Sequence, residues 1–395
     1  MALVSLMLGG ADPVSAGFAH RKLLTVNGSQ VEGGPHANYP VAVAFVDPDL
    51  RLAPAGGVQS GAGYDISFRA SDGVTPLDYE VSRYDPATGQ LRAYVKLPSI
   101  QNGVDTQFYV YYGDPEITCC QTRHGDVWDA GFRTVLHFSE TSGNPIDSTA
   151  YGTATRLNPQ GDPAATISQA GDFLEMITPP APPPATFAPT TDSHLQLADG
   201  TLPANTPFTI EAWFQFRASN VGQWVGLVTK NRDSGTNWVG LYKRSGPETL
   251  AFGMACCGSG PGNLDGATAL VPDQWYYGAV SSNGVNSRRV FLYDTIDAVD
   301  AVTPATYTDL SLPTRVGDDT NGDYLDGFIG EVRFSAVERS EAWIQTNARN
   351  HGCPAASMPA PSCLPPLPAS LQVPFLTVAA EESLAATNTD PDCCR

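Results

Sequence analysis

Sugar recognition in water needs an aromatic face to cover the C–H side of a ring and amide or carboxylate groups within reach of its hydroxyls. Trp224, Trp238 and Tyr242 offer such faces within one short stretch, and Asn231, Asp233 and Asn237 lie between them as polar partners. These residues form the candidate ligand-binding set. A second concentration of chemistry is the acidic knot Asp318-Asp319-Thr320-Asn321-Gly322-Asp323, with Asp326 just beyond. Hard cations take oxygen ligands, and the alternation of Asp319, Asn321 and Asp323 is that of an opening calcium loop. Tyr324 stands where an EF-hand needs glycine and Gly330 where it needs glutamate, so the knot is not an EF-hand. It reads as a polar turn or a calcium-rimmed hairpin, with Asp319, Asn321, Asp323 and Asp326 as candidate ligands.

Catalysis finds no home in the same reading. Glycoside hydrolysis wants two carboxylates facing one cleft. Glu331 shares its strand face with Arg333 and Ser335, and Glu211 shares its own with Thr209 and Trp213. Each is expected to be a lone carboxylate on a solvated face. There is no Gly-x-Ser-x-Gly elbow and no phosphate-cradling glycine loop before a helix. His20, His36, His124, His137, His194 and His351 show neither HxH nor HExxH spacing. His137 reads as a satisfied, half-buried strand residue. The expectation is a protein without catalytic residues, not an enzyme, with an unrecognised glycosidase site as the enzymatic alternative.

The elements that must hold these residues are strands. The chain has 395 residues with a formal charge of −19, and no Lys/Arg cluster. That balance argues against nucleic acid and against an anionic membrane surface. With 38 glycines and 33 prolines, short strands joined by many turns are expected rather than helices. In the first part, Leu91, Ala93, Val95 and Leu97 alternate with Arg92, Tyr94 and Lys96. Phe108, Val110 and Tyr112 alternate with Gln107, Tyr109 and Tyr111, and Ile66, Phe68 and Ala70 make a third strand. Such a pattern buries one face of a sheet and leaves the other in water. Further on, Phe208, Ile210, Ala212, Phe214 and Phe216 give the clearest strand of all. Gly226–Lys230, Trp238–Tyr242, Leu250–Met254, Trp275–Ser281, Arg289–Tyr293 and Phe328–Ser335 follow the same logic. One helix is expected over Ser340–Asn350, capped by Ser340.

The layout expected is therefore all-β: two antiparallel sandwiches and a Pro-rich tail. Residues 1–16 read as a signal-like segment, with an apolar run and a small-residue cleavage pattern at Val14-Ser15-Ala16. Residues 17–116 form the first sandwich and 117–352 the second, with a Pro-rich insertion at 178–190. Residues 353–395 form the Cys-containing tail. The eight cysteines, three pairs of them adjacent, lack CxxC spacing and suggest structural disulfides in an oxidising compartment. Cys353 and Cys363 flank a short Pro-rich loop and are the one bridge expected. No apolar run is long enough to span a membrane. The segment Leu371–Ala380 reads as a loose strand or as one that pairs with another chain's open edge.

Particular residues resemble known families. Arg21-Lys22, Tyr39-Pro40-Val41, Tyr64-Asp65-Ile66, Phe68 through Gly73, Leu77 through Glu80 and Tyr109–Gly113 resemble the bacterial domain of unknown function DUF2341. Val127-Trp128-Asp129-Ala130-Gly131-Phe132 is similar to the segment that closes that domain. The second part resembles a laminin-G-like, concanavalin A-like jelly roll. It does so through His137-Phe138-x-Glu140, Asp147-Ser148-Thr149, Phe208 through Trp213, Gln274-Trp275 and Asp326 through Arg333. The resemblance implies export to the bacterial surface, a fold shared with sugar-binding lectins, and often a structural calcium ion. It also implies that Asp147 approaches the C-terminal strands as a further metal candidate, and that Trp275 is a core residue. Two departures stand out: Gly330 replaces an acidic residue, and the Tyr-x-Asp-Gly hairpin appears only as Tyr293-Asp294-Thr295.

The function expected is an exported, non-enzymatic surface protein that binds glycan or another surface protein through loops of the second sandwich. The rival is a structural subunit of a filament or surface layer, self-assembled through the tail and disulfides.

Overall fold

The computed structural model describes residues 17–122, 124–140, 145–149, 154–155, 166–167, 185–187, 194–197, 206–233, 237–255, 262–301, 314–319, 321–353 and 367–384. The first sandwich contains β1 (His20–Val26), β2 (His36–Val46), β3 (Ser67–Ala70), β4 (Tyr79–Asp85), β5 (Gln90–Ile100) and β6 (Thr106–Tyr112). A short helix, α1 (His124–Val127), leads to β7 (Phe132–Leu136). The second sandwich continues with β8 (Ala154–Thr155), β9 (Thr166–Ile167), β10 (Ala185–Phe187), β11 (Leu195–Leu197), β12 (Phe208–Phe216) and β13 (Val225–Asp233). It adds β14 (Asn237–Lys243), β15 (Thr249–Ala255), β16 (Leu264–Ala269), β17 (Tyr276–Ser282), β18 (Arg288–Leu292) and β19 (Thr295–Asp300). It ends in β20 (Thr314–Val316), β21 (Gly327–Ser335) and α2 (Glu341–Gly352), after which the chain returns as β22 (Leu376–Ser383).

Four antiparallel sheets make two sandwich-like units. In the first, a sheet ordered β22-β1-β6-β3 faces one ordered β2-β5-β4. In the second, an eight-stranded sheet runs β19-β18-β17-β12-β21-β10-β9, with β7 also on β21, and faces a seven-stranded sheet ordered β16-β15-β14-β13-β20-β11-β8. Alternation explains the cores: Leu24, Val26, Phe68, Phe108, Val110 and Val95 are buried in the first, and Phe208, Ile210, Phe252, Val280 and Phe334 in the second. Pro40, which has no N–H to give a ladder, sits on β2, an edge strand of its sheet. Within the stretch 178–190, Ala185–Phe187 pairs with both β21 and β9; its other residues lie outside the described set, as do residues 1–16.

Two expectations are corrected here. The second face of β5 is not wet: Arg92 and Tyr94 are both 0% exposed. Tyr39 through Phe45 on β2 are likewise buried without a break. This sheet is covered on both sides, by its own sandwich and by the second one, and strands buried on both faces lose their alternation. The tail segment is not loose: it forms β22, the edge strand of a sheet in the first sandwich. Strand β22 pairs antiparallel with β1 from Val26↔Leu376 to His20↔Ser383. Leu371, Phe375 and Leu376 anchor it at 0% exposure, and the Phe375 N–H donates to the Cys353 carbonyl at 2.8 Å.

The expected helix is present as α2. Ser340 caps it, its Oγ accepting from the Trp343 N–H at 3.1 Å. Cys353 is disulfide-bonded; Cys363 lies outside the described residues. Cys119 and Cys120 are thiols rather than half-cystines.

Candidate functional site

Two polar regions stand out, and they differ in kind. The first is the seam between the sandwiches. Glu80 on β4 reaches across the boundary, its Oε1 lying 2.8 Å from His137 Nε2 and accepting from Trp128 Nε1 at 2.9 Å. His137 Nδ1 lies 2.8 Å from Glu331 Oε2, and Glu331 Oε1 accepts from Arg333 Nε at 2.8 Å. Arg333 Nη1 donates to Asn347 Oδ1 at 2.8 Å, while Asn347 Nδ2 donates to Glu211 Oε1 at 2.5 Å. The Tyr277 hydroxyl also donates to Glu211. The Arg333 guanidinium lies 4.7 Å from the Trp128 ring centroid, and the His137 ring stacks on Tyr94 at 4.4 Å.

Electrostatics fixes the protons in this chain. Burial alone would lower the His137 pKa, but Glu331 and Glu80 hold it well above the ordinary imidazole value. The ring is an imidazolium that donates at both nitrogens. His351 behaves in the opposite way, because burial and the Arg333 charge hold its pKa well below the ordinary value. Its neutral ring donates from Nδ1 to the Asn347 carbonyl at 2.9 Å and accepts at Nε2 from Arg333 Nη2 at 2.6 Å. Glu331 and Glu211, expected on solvated faces, are 3% and 2% exposed. The correction has a clear physical reason: the face they share is covered by the first sandwich and by α2. The seam is buried and joins the two sandwiches through this chain of charges, with Glu211 Oε2 left as a buried oxygen without a hydrogen-bond partner.

The second region is a hollow of about 150 Å³ on the second sandwich, lined by Trp224, Trp238, Tyr242 and Asn263. Strand β14 builds it by alternation: Val239 and Leu241 enter the core, so Trp238 and Tyr242 face the other way. Gly240 and Gly253 stand opposite each other in the β14–β15 ladder, between those rings. A Cβ on Gly253 would lie 2.7 Å from Tyr242 Cε2 and 3.0 Å from Trp238 Nε1, so only glycine leaves the rings where they are. Trp224 meets Tyr242 edge-on, with centroids 6.1 Å apart and planes at 86°. Arg244 lies 5.6 Å from the Trp224 centroid and pairs with Asp265.

The structure therefore brings the three aromatic candidates together, but only Trp224 and Trp238 are partly exposed; Tyr242 is 2% exposed and packs into the wall instead of offering a free face. The side chains of Asn231, Asp233 and Asn237 lie outside the described set, though Asp233 and Asn237 face each other in the β13–β14 ladder. Asn263 and Gly253 escaped the sequence reading. A glycine inside the apolar run Leu250–Met254, and a Gly-Asn turn just before β16, were the available signals.

The acidic candidates are placed apart from this hollow's lining. Asp147 Oδ1 accepts from Val135 N, Thr149 N and Thr149 Oγ1 at 3.1, 2.9 and 2.9 Å. Asp326 accepts from Arg217 Nη1 at 2.8 Å and from Ser219. Asp319 Oδ1 accepts from the Asn321 N–H at 2.9 Å, and the Asp323 carbonyl accepts from the Gly226 N–H at 2.8 Å. Among the described residues no group of three or more His, Cys, Asp or Glu side chains is arranged to hold a metal ion. The Asp147 and Asp326 carboxylates are thus engaged within the protein. No described helix is long and apolar enough to cross a membrane.

Comparison with known proteins fits this architecture. Residues 62–154 match the domain of unknown function DUF2341, and residues 189–345 match the concanavalin A-like lectin/glucanases superfamily. No curated protein matches the chain. Among solved structures, domain 4 of AbnA, a GH43 extracellular arabinanase from Geobacillus stearothermophilus solved with arabinotriose, is 18% identical with a TM-score of 0.38. That match covers 56% of this chain and 100% of the other. The receptor-binding domain of botulinum neurotoxin D is 11% identical, TM-score 0.41, over 55% of this chain and 52% of that one. Its type G counterpart is 8% identical, TM-score 0.40, over 56% and 51%. The present chain thus spans about half the length of the toxin chains it matches. By its two matched segments, the chain carries a DUF2341 domain followed by a concanavalin A-like lectin/glucanase domain.

Proposed function

We propose that this is an exported surface protein that binds glycan reversibly at the aromatic hollow and does not turn it over. One observation carries the reading: the partly exposed Trp224 and Trp238 line a single hollow together with Asn263 and the buried Tyr242. Aromatic rings supply the apolar contact that a sugar's C–H face seeks, and an amide can both donate to and accept from its hydroxyls. The absence of turnover is supported by the fate of the carboxylates. Glu211 and Glu331 are committed to Tyr277, Asn347, His137 and Arg333 in the seam and do not line the hollow.

A glycan array probed with the intact chain and with Trp238→Ala tests the reading. The intact protein is expected to be retained on a subset of glycans, and the variant to lose at least tenfold in affinity while keeping its circular dichroism spectrum. Equal retention of both proteins would move the binding surface elsewhere.

A further inference from the structure

Resting on that glycan reading, we infer that Lys243, which does not line the hollow, sets its affinity: paired with Glu248, it clamps the loop that carries Trp224 and is a positioning residue for the glycan. The inference starts from a lysine where alternation calls for an apolar residue. On β14, Val239 and Leu241 enter the core, and Lys243 takes the next core-facing place at 0% exposure. An ammonium group in an apolar interior is costly unless acceptors surround it. Here they do. Lys243 Nζ donates to the Asn220 carbonyl at 2.6 Å and to the Gln223 carbonyl at 3.1 Å. It also pairs with Glu248 and lies 5.0 Å from the Phe216 ring centroid.

The grip falls on the backbone just before Trp224. A short 3₁₀ turn (Ala218–Asn220) leads into β13 through Val221, Gly222 and Gln223, all three exposed. Gly222 turns the chain at φ +76°, and its N–H donates to Glu248 Oε1 at 2.7 Å. Burial pulls the Lys243 pKa down and Glu248 opposes that pull. The carboxylate therefore serves twice, as counter-charge for the ammonium and as acceptor for Gly222. The start of the loop is tied separately: Asn220 Nδ2 donates to the Tyr324 carbonyl at 3.1 Å, and Asn220 Oδ1 accepts from the Asp326 N–H at 2.7 Å. Between that tie and Trp224, the contacts from β14 and the start of β15 are those of Lys243 and Glu248. A ring already held in place need not be ordered when a ligand arrives, and avoiding that ordering cost raises affinity.

A double-mutant cycle on the full chain decides the matter, titrated by calorimetry with the free oligosaccharide of the glycan best retained on the array above. Trp224→Ala should weaken binding about tenfold, and Lys243→Met about fivefold. In the double variant, Lys243→Met should add less than about twofold to the loss from Trp224→Ala, because no ring is left to position. Hydrogen exchange supplies the check: Lys243→Met should speed exchange at the amides of residues 221–224 while β12 and β17 keep their protection. Glu248→Gln is the second variant should Lys243→Met fail to fold. It leaves an acceptor for Gly222 but withdraws the counter-charge, and about threefold weakening is expected, again absent beside Trp224→Ala. Full affinity in a folded clamp variant, or the same further loss with and without Trp224, would overturn the clamp and leave glycan binding standing. Failure of the folded, intact chain to bind any glycan would remove the glycan reading, and this inference with it.

Discussion

The seam and the hollow use polar and aromatic side chains to opposite ends. In the seam, the Glu80, Glu331 and Glu211 side chains each have a partner within the protein, and the aromatic faces of Tyr94 and Trp128 are covered by His137 and Arg333. At the hollow, Trp224 and Trp238 are only partly buried and border open space, with Arg244 and Tyr242 against Trp224. The lesson is that residue type does not distinguish a joint from a site; burial between two packed units does. A buried ion chain holds two folded units in one relative position, whereas an aromatic corner retains contact area for something else.

The difference can be broken most forcefully at Arg333. Arg333→Met removes the donor to Glu331, Asn347 and His351 at once, and stranding buried polar groups in this way costs about 3–5 kcal/mol. Urea unfolding should show that loss, while affinity at the hollow stays within about threefold. Trp238→Ala is the converse case. It removes an anchor of the binding surface, so about 2 kcal/mol of binding free energy is expected to go, with a much smaller change in unfolding.

A gentler test uses pH. His137 has a raised pKa in the fold, so its stabilisation is complete below about pH 6.5 and is lost as pH rises through the folded value. His351 has a lowered pKa, so below about pH 6.5 the unfolded chain gains a proton that the fold refuses, and stability falls with acid. His36, lowered by burial, adds to the acid limb. Taken together these groups put the best stability near the ordinary imidazole pKa. A melting profile from pH 5 to 9 should be domed; a flat profile would show that the seam does not govern stability. The smallest effect is reserved for Ser340→Ala, which uncaps the helix carrying Asn347 and His351. A loss of about 1 kcal/mol in stability is expected, with sugar binding untouched.

Much of this was legible in the chain. The strand Phe208–Phe216, the helix after Ser340 and the aromatic trio of the hollow all announce themselves by local period or residue type. What was not legible depends on the meeting of distant surfaces. Arg92 and Tyr94 alternate with apolar residues just as a wet face would, and Glu211 and Glu331 look solvated for the same reason. Only the docking of α2 and the second sandwich reveals that the polar sides of these sheets face each other. The unbroken run Tyr39–Phe45 was the available hint, since an edge strand with one wet face would not need it. The fate of the tail was hidden similarly, because a strand's partner cannot be read from its own residues.

That returning strand has a mechanical consequence. The N-terminal end of β1 and the C-terminal end of β22 lie side by side, with His20 opposite Ser383 and the Leu384 N–H donating to the Ala19 carbonyl at 2.7 Å. A pull applied through the two flanking segments would load the rungs one after another from that end, as a zip opens, instead of shearing them all together. The clasp would yield at low force and pay out β22 before either sandwich bore the tension.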